Sequence, residues 1–315
     1  MEAYHMQKIT VLSLFDGIAC GRIALERANI PVGRYIASEI EQTAIKAAVT
    51  NYPDIEEIGD VRNIDPEKLP PIDLLIGGSP CQGFSSSGKG LNFSDPRSKL
   101  FFEYVRILKA VKPRYFLLEN VKMKQEWQDI ITGYMDVEPI LINSSLVSAQ
   151  NRERLYWTNI SGVCLPDDNG IQLKDILENI EWDNPAAIRG RRLNKACIIG
   201  RRLNDKGHRA DYDKTIPITQ CLEVRASNTD KSNCLTTVAK DNVLTPLLPG
   251  RYPDVFGKKL PFRYYTRTEC CRLQTVPEHY LDCISESAAL KALGNGWTVD
   301  VIAHILSFIK QNEDK

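Results

Sequence analysis

No apolar run in this 315-residue chain approaches the ~18 residues of a bilayer-spanning helix, and the opening MEAYHMQK has no apolar core of the kind a secretory leader carries. Those absences point away from a membrane and toward the cytoplasm. The nine cysteines are an odd number with no CxxC pair, and the four histidines are scattered without metal-ligand spacing. A disulfide framework and a zinc site are therefore not expected, and a reducing compartment is. The chain also has no net charge, with 40 Lys and Arg against 40 Asp and Glu, and no internal repeat long enough to suggest a solenoid.

What is present is unevenly distributed. Residues 186–215 hold nine Lys or Arg against three Asp or Glu, which leaves 31 against 37 elsewhere. A basic segment on an acidic body suggests a local contact with a polyanion. In the first half, apolar runs alternate with helical patterns: ITVLSLF (9–15), RYIASEI, IEEIGDV, IDLLIGG and RYFLLENV read as strands, with helices at 21–29, 41–50 and SKLFFEYVRILKAVKP between them. This alternation reads as a parallel sheet covered by helices on both faces. Residues 161–262 lack sustained helical periodicity and read as a separate inserted domain. Within them GRRLN occurs at 190–194 and again at 200–204, a spacing that suits two strands of a hairpin. Apolar helical character returns at 286–310, which reads as one helix packing back on the first domain. The expected division is a catalytic domain of residues 1–160 plus 263–315 with 161–262 inserted.

Glu39 to Asp60 is 21 residues and Asp60 to Cys81 is 21 again, each closing an apolar run. Ligands bind along the edge formed by the carboxyl ends of parallel strands, so Asp16, Glu39, Asp60, Cys81 and Glu119 are expected to cluster there. The turn FDGIACG carries Gly17 and Gly21 but not the spacing of a pyrophosphate cradle. Glu39 is placed to accept ribose hydroxyls and Asp60 an adenine amino group. An adenosine ligand without phosphates, S-adenosylmethionine, fits that set. Cys81, in GGSPCQGFSSSG, is placed as a nucleophile on a strand-to-loop bend. Glu119 follows two leucines, an apolar setting that favours the protonated acid and a hydrogen bond to a ring nitrogen. QNRERLYW puts Gln150, Arg152 and Arg154 at alternating positions, on one face if the segment is a strand; one arginine would hold a base carbonyl and another a phosphate.

FDGIACG, GDVR, GGSPCQGFS, ENV, QNRER, RTECCRLQTVPEHY and GNGWTV occur in the order found in the DNA (cytosine-5)-methyltransferase family, which the chain resembles over nearly its full length. The likeness is to bacterial and phage members, with LSLFDGIACG and RYIASEI also similar to animal de novo enzymes. The resemblance implies an α/β fold: an S-adenosylmethionine-dependent, Rossmann-like mixed sheet flanked by helices, with an inserted target-recognition domain. It implies methyl transfer to C5 of a cytosine flipped out of duplex DNA, through a covalent adduct of Cys81 assisted by Glu119, Arg152, Arg154 and Gln150. Implied donor contacts are Phe15, Asp16, Gly17, Gly21, Glu39, Ile40, Asp60, Val61, Ser79, Pro80, Leu100, Asn295, Trp297 and Val299. Implied DNA contacts are Ser85, Ser87, Lys89 and Arg97 in a mobile loop, Arg191, Arg192, Arg201, Arg202 and Arg225 in the inserted domain, and Thr236 and Thr237 beside the DNA backbone. A monomer is implied, with double-stranded DNA and a cognate restriction endonuclease as partners, and no metal. The chain departs from the bacterial pattern at Asp16-Gly17, where alanine-glycine is usual, and at GNGW, where GNS is commoner. A transfer-RNA cytosine methyltransferase and a catalytically silent DNA-binding homologue stay open as alternatives; the former usually carries PPC where this chain has SPC.

Overall fold

Ile9–Leu14 forms strand β1 at the centre of the larger sheet in a computed structural model that describes residues 7–80, 99–180, 193–225 and 230–313. Its run of apolar residues is buried on both faces, as a central parallel strand requires. Val11 faces one core with Ile76 and Leu117, while Leu12 and Leu14 face the other with Leu75 and Leu118. Strands β2 (Val32–Ser38) and β4 (Leu74–Gly77) flank β1 in parallel, β3 (Ile55–Glu57) extends the sheet beyond β2, and β5 (Tyr115–Val121) beyond β4. Two further strands, β6 (Ile140–Asn143) and β7 (Glu153–Thr158), complete a seven-stranded order β3-β2-β1-β4-β5-β7-β6.

The sheet is mixed, as the family resemblance implies and the strand pattern alone does not. β7 runs antiparallel to both β5 and β6. The reason is the short connection: residues 144–152 are too few for a crossover, which needs about a dozen or more, so β6 and β7 must reverse direction. Gln150 and Arg152 accordingly lie in that connection and not in the strand, which begins at Glu153. β3 is also shorter than the run IEEIGDV suggests.

Helices α1 (Cys20–Arg27), α2 (Gln42–Asn51), α3 (Lys99–Val111) and α4 (Gln125–Met135) cover the two faces. α3 buries Phe101, Tyr104, Val105 and Ile107, a single stripe at helical spacing, and ends before Pro113. A one-turn helix α5 (Leu173–Ile176) packs against α6 (Arg267–Gln274), whose start is capped reciprocally by Thr266 and Glu269. The apolar stretch at 286–310 is two helices, α7 (Glu286–Asn295) and α8 (Val299–Glu313), bent by 46° at the break. Gly296 adopts extended dihedrals there, and its carbonyl accepts from Arg152 and Gln274 side chains. α8 packs on α1 through wholly buried Val301, Ile302, Ile305 and Leu306. No single helix among the described residues is long and apolar enough to cross a membrane.

The inserted region forms an antiparallel sheet of order β11-β9-β8-β10-β12, with β8 (Asn194–Arg202), β9 (Ile218–Val224), β10 (Val243–Thr245), β11 (Gly250–Pro253) and β12 (Arg263–Tyr264). Its small core includes Ile198, Leu222, Val243 and Val255. The GRRLN echo is not a hairpin: Asn194 of the first copy opens β8, Gly200–Arg202 of the second closes the same strand, and the hairpin partner is β9. The smaller sheet spans Asn194 to Tyr264, while Leu173 and Ile176, and also Leu235 and Leu244, belong to the larger core.

Candidate active site

The chain leaves β1 through three left-handed residues in five, Phe15, Gly17 and Ala19, with φ of 58°, 61° and 58°. For a residue as bulky as phenylalanine this is a strained conformation, held by its surroundings. The curl places Asp16 in a buried position. Tyr35 Oη donates to its Oδ1 at 2.7 Å, while Oδ2 is buried with no hydrogen-bond partner among the described residues. Burial pushes the Asp16 carboxyl up to about 6, against the lowering effect of the Ser13 and Tyr35 hydroxyls, and the nearby Glu39 charge adds to the rise. Glu39, one residue beyond β2, accepts from Gly17 N at 2.8 Å, Ile40 N at 2.7 Å and Glu41 N at 2.9 Å. It thus fixes the curl to the next strand, and of a carboxylate's roughly four acceptor positions about one is left for a ligand. Glu57, at the end of β3, was not singled out by the sequence pattern. Neither of its carboxylate oxygens has a partner among the described residues, and burial, with Asp16 and Glu39 adding, pushes it up to about 7.

The ends of β1, β2, β4 and β5 open into a cleft of about 860 Å³. Phe15, Asp16, Gly17, Glu39, Ile40, Asp60, Val61, Ser79, Pro80, Leu100, Glu119, Arg152, Arg154, Asn295 and Trp297 all line it. Ile40 is 66% exposed there and offers an apolar surface within the cleft. Asp60 is not bare: Arg62 reaches back to it through Nε at 3.0 Å and through its backbone N at 3.0 Å, and this ion pair holds the Asp60 carboxyl below the usual range. Lys291 of α7 donates to Glu41 at 2.7 Å and ties α7 to the start of α2 beside the cleft.

Glu119 sits within β5, two residues before its end. Its setting is not the apolar one that the preceding leucines suggest. Arg154 Nε lies 2.9 Å from Oε1, and Trp297 Nε1 donates to Oε2 at 3.2 Å. Asn120 donates to Ser79 Oγ at 3.2 Å, which links β5 to the end of β4. Gly78–Pro80 are the last described residues before Cys81 and line the cleft.

Three anticipated site residues do not reach this space. Gly21 is buried within α1, where an added Cβ would lie 2.3 Å from Ile76 Cδ1, so it is a helix-to-sheet packing glycine. Val299 is fully buried in the core at the start of α8. Gln150 is fully buried too; it donates to Leu273 O and Gln274 Oε1 and accepts from Leu235 N. Arg152 lines the cleft, but its guanidinium donates to Leu235 O at 3.2 Å, Gly296 O at 2.8 Å and Cys234 Sγ at 3.3 Å, so it braces the protein and offers little to a ligand. Cys81, Ser85, Ser87, Lys89, Arg97, Arg191 and Arg192 lie outside the described residues.

In the smaller sheet, Arg201 bonds to Glu223 at 2.9 Å, with Asp211 and Arg251 completing the network, which commits it to the sheet. Arg202 donates its backbone N to Asp211 at 2.9 Å, while Arg225 is exposed. Thr236 and Thr237 are exposed beside α7. Their backbone touches Gly294, where an added Cβ would lie 2.4 Å from Thr236 C and O. Gly294 itself lines the cleft. The pairings Asp16–Tyr35 and Glu119–Trp297 join residues far apart in sequence, and no local pattern marks them.

The sequence profile of C-5 cytosine-specific DNA methylases matches residues 9–311. Among individual proteins, the chain is 40% identical over 235 residues to the orphan methyltransferase M.Rho11sI of Bacillus phage rho11s, a match covering 64% of this chain and 44% of that protein. The chain therefore spans less than half of that phage relative. It is 30% identical over 312 residues to the type II methyltransferase M1.ScrFI of Lactococcus lactis subsp. cremoris, covering 94% of this chain and 76% of the relative. In fold it is similar to the Entamoeba histolytica methyltransferase EhMeth, with a TM-score of 0.71 at 16% identity over 98% of this chain and all of that one. The S. pombe Dnmt2 methyltransferase gives 0.66 at 19% identity over the same shares.

Proposed function

The chain belongs to the C-5 cytosine-specific DNA methylase family, and from that premise we propose that it transfers a methyl group from S-adenosylmethionine to C5 of a cytosine flipped out of duplex DNA. The observation that carries this reading is the placement of Glu119. The carboxylate is held between Arg154 and Trp297 in a cleft that Pro80, the residue before Cys81, also lines.

The cleft fits an adenosyl sulfonium donor. The unpartnered Asp16 Oδ2 is a buried acceptor suited to the cationic end of such a molecule, the Gly17 curl leaves open space where a Cβ would stand, and Ile40 offers an apolar face to an adenine ring. Glu39 has acceptor capacity left for a ribose hydroxyl, and Val61 is held beside it by the Asp60-capped turn. When bound, the donor would supply an electrophilic methyl group and leave as S-adenosylhomocysteine.

The protein's own part begins with Cys81. As thiolate it adds to C6 of the cytosine, forming an S–C6 bond and moving the C5–C6 electron pair toward C5. Glu119 delivers a proton to N3 as the thiolate adds, which neutralises the charge that would otherwise build on the ring, and N3 gives the proton back when the thiolate leaves. Arg154 holds Glu119 in place from the opposite side. After methylation a base takes the C5 proton, the C5–C6 double bond re-forms, and the thiolate is expelled. The flipped base costs about a few kcal/mol of lost stacking, which DNA contacts from the smaller domain and the Thr236–Thr237 segment offset. In this reading a restriction endonuclease of the same site specificity is the cognate partner.

Bisulfite sequencing of DNA from cells expressing the protein tests the reading. The expected result is 5-methylcytosine within one short recognition sequence, lost on Cys81→Ser substitution while DNA binding is kept. Unmodified DNA from wild-type expression, or methyl transfer only to transfer RNA in a parallel incubation with labelled donor, overturns it.

A further inference from the structure

Glu119 has two anchors of different kinds. Arg154 reaches Oε1 through Nε, while its other nitrogens bond to Glu153 O and Cys234 Sγ. A single anchor leaves the plane of a carboxylate free, because the terminal torsion of a glutamate is broad. The second anchor, Trp297 Nε1 on Oε2 at 3.2 Å, removes that freedom.

The surroundings are built for this contact. Gly78 faces the pair at the end of β4: an added Cβ there would lie 2.8 Å from Trp297 Nε1 and 3.0 Å from Glu119 Oε2. Only glycine leaves the two groups room to meet. The turn that carries Trp297 is fixed from below. Gly296 O accepts from Arg152 Nη2 at 2.8 Å and from Gln274 Nε2 at 3.2 Å. On the other side Thr298 Oγ1 donates to Gln274 Oε1 at 2.9 Å and accepts from Ser144 at 2.8 Å. A tryptophan kept only to fill space needs neither a bonded turn nor a cleared path for its N–H. The same turn breaks α7 from α8 and lines the donor side of the cleft.

Resting on the function proposed above, we infer that Trp297 is a positioning residue for Glu119, setting the plane of the carboxylate that meets the cytosine ring and coupling it to the turn that borders the methyl donor. The indole does not touch the reacting atoms; it acts through Glu119.

The test measures single-turnover methyl transfer to unmodified genomic DNA, with enzyme in excess and donor saturating, alongside the affinity for S-adenosylhomocysteine. Trp297→Phe keeps the ring and removes the N–H; Trp297→His restores an N–H the same number of bonds from the backbone. Loss of a charge-assisted hydrogen bond corresponds to about a tenfold lower rate of the chemical step, which is the expected result for the phenylalanine variant. The histidine variant is expected to recover most of that loss, and S-adenosylhomocysteine affinity to change less than about twofold in either. Gly78→Ala, which wedges a methyl between the two groups, is expected to slow the same step and provides the measurement if the phenylalanine variant does not fold. A phenylalanine variant with wild-type single-turnover rate, equal loss in both ring variants, a loss confined to donor affinity, or a Gly78→Ala rate equal to wild type each overturns the inference. Absence of transfer by the wild-type protein is a different failure, that of the parent reading.

Discussion

Asp16 and Glu57 are carboxylic acids buried short of hydrogen-bond partners, and that has a consequence for stability. Both are pushed up by burial, to about 6 and about 7. The folded protein therefore holds protons that the unfolded chain has released. Stability from these groups is full below the ordinary carboxyl range and is lost as pH rises toward 6 and 7. Asp16→Asn is expected to flatten that decline and raise the melting temperature near pH 8 by about 2 °C relative to wild type, read from thermal melts across pH 4–8. The same variant is expected to weaken donor binding if the proposed function holds, since it removes a carboxylate that lines the cleft. Glu119→Gln keeps the shape but removes the charge that Arg154 and Trp297 hold; kcat is expected to fall about a hundredfold or more, measured at saturating donor. Asp16 and Glu119 could be read directly, as acids closing apolar runs; Glu57 could not, and neither could the partners Tyr35 and Trp297, which meet these acids through strand register and a distant turn.

The break between α7 and α8 shows what an amphipathic pattern hides. The apolar positions from Ala288 to Ile309 continue through it almost without interruption, so the stretch reads as one helix. What breaks it is the contact on either side. Gly294 lets the Thr236–Thr237 backbone approach closely, and Gly296 turns its carbonyl toward Arg152 and Gln274. Gly294→Ala places a methyl against backbone atoms at 2.4 Å, which cannot move as a side-chain tip would. We expect a loss of about 2–3 kcal/mol, measured as a lower urea midpoint, with weakened DNA binding because the threonine segment shifts. β7 is the counterpart in the sheet: the alternation in QNRERLYW reads as a strand, but its direction follows from the length of the loop before it.

The two sheets are joined by polar contacts as well as by apolar packing of Leu235 and Leu244 on the larger core. Lys231 Nζ donates to Ser145 O at 2.6 Å, Ile171 O at 2.6 Å and Ser148 O at 3.2 Å, and Ser232 pairs with the backbone at Ala149 and Asn151. Lys231→Met strips three carbonyls of a charged donor, and a destabilisation of about 3 kcal/mol is expected from chemical denaturation. The basic segment divides in the same spirit. Arg201 is committed to Glu223, so Arg201→Ala is expected to lower the melting temperature and leave the salt dependence of DNA binding nearly unchanged. Arg225 is exposed, so Arg225→Ala is expected to reduce the slope of log affinity against log salt by about one without affecting stability.

Apolar periodicity, helix stops and the spacing of acids along the chain suffice to lay out alternating strands and helices and to bring Asp16, Glu39, Asp60 and Glu119 to one edge, because each of these signals acts within a few residues or through a sheet's regular register. The antiparallel seventh strand, the bent C-terminal helices, the internal commitment of Arg152 and Arg201, and the two-sided grip on Glu119 were decided by tertiary packing. Buried polar groups must find partners wherever the folded chain brings a donor and an acceptor within about 3 Å, and that pairing leaves no periodic trace in the order of the residues.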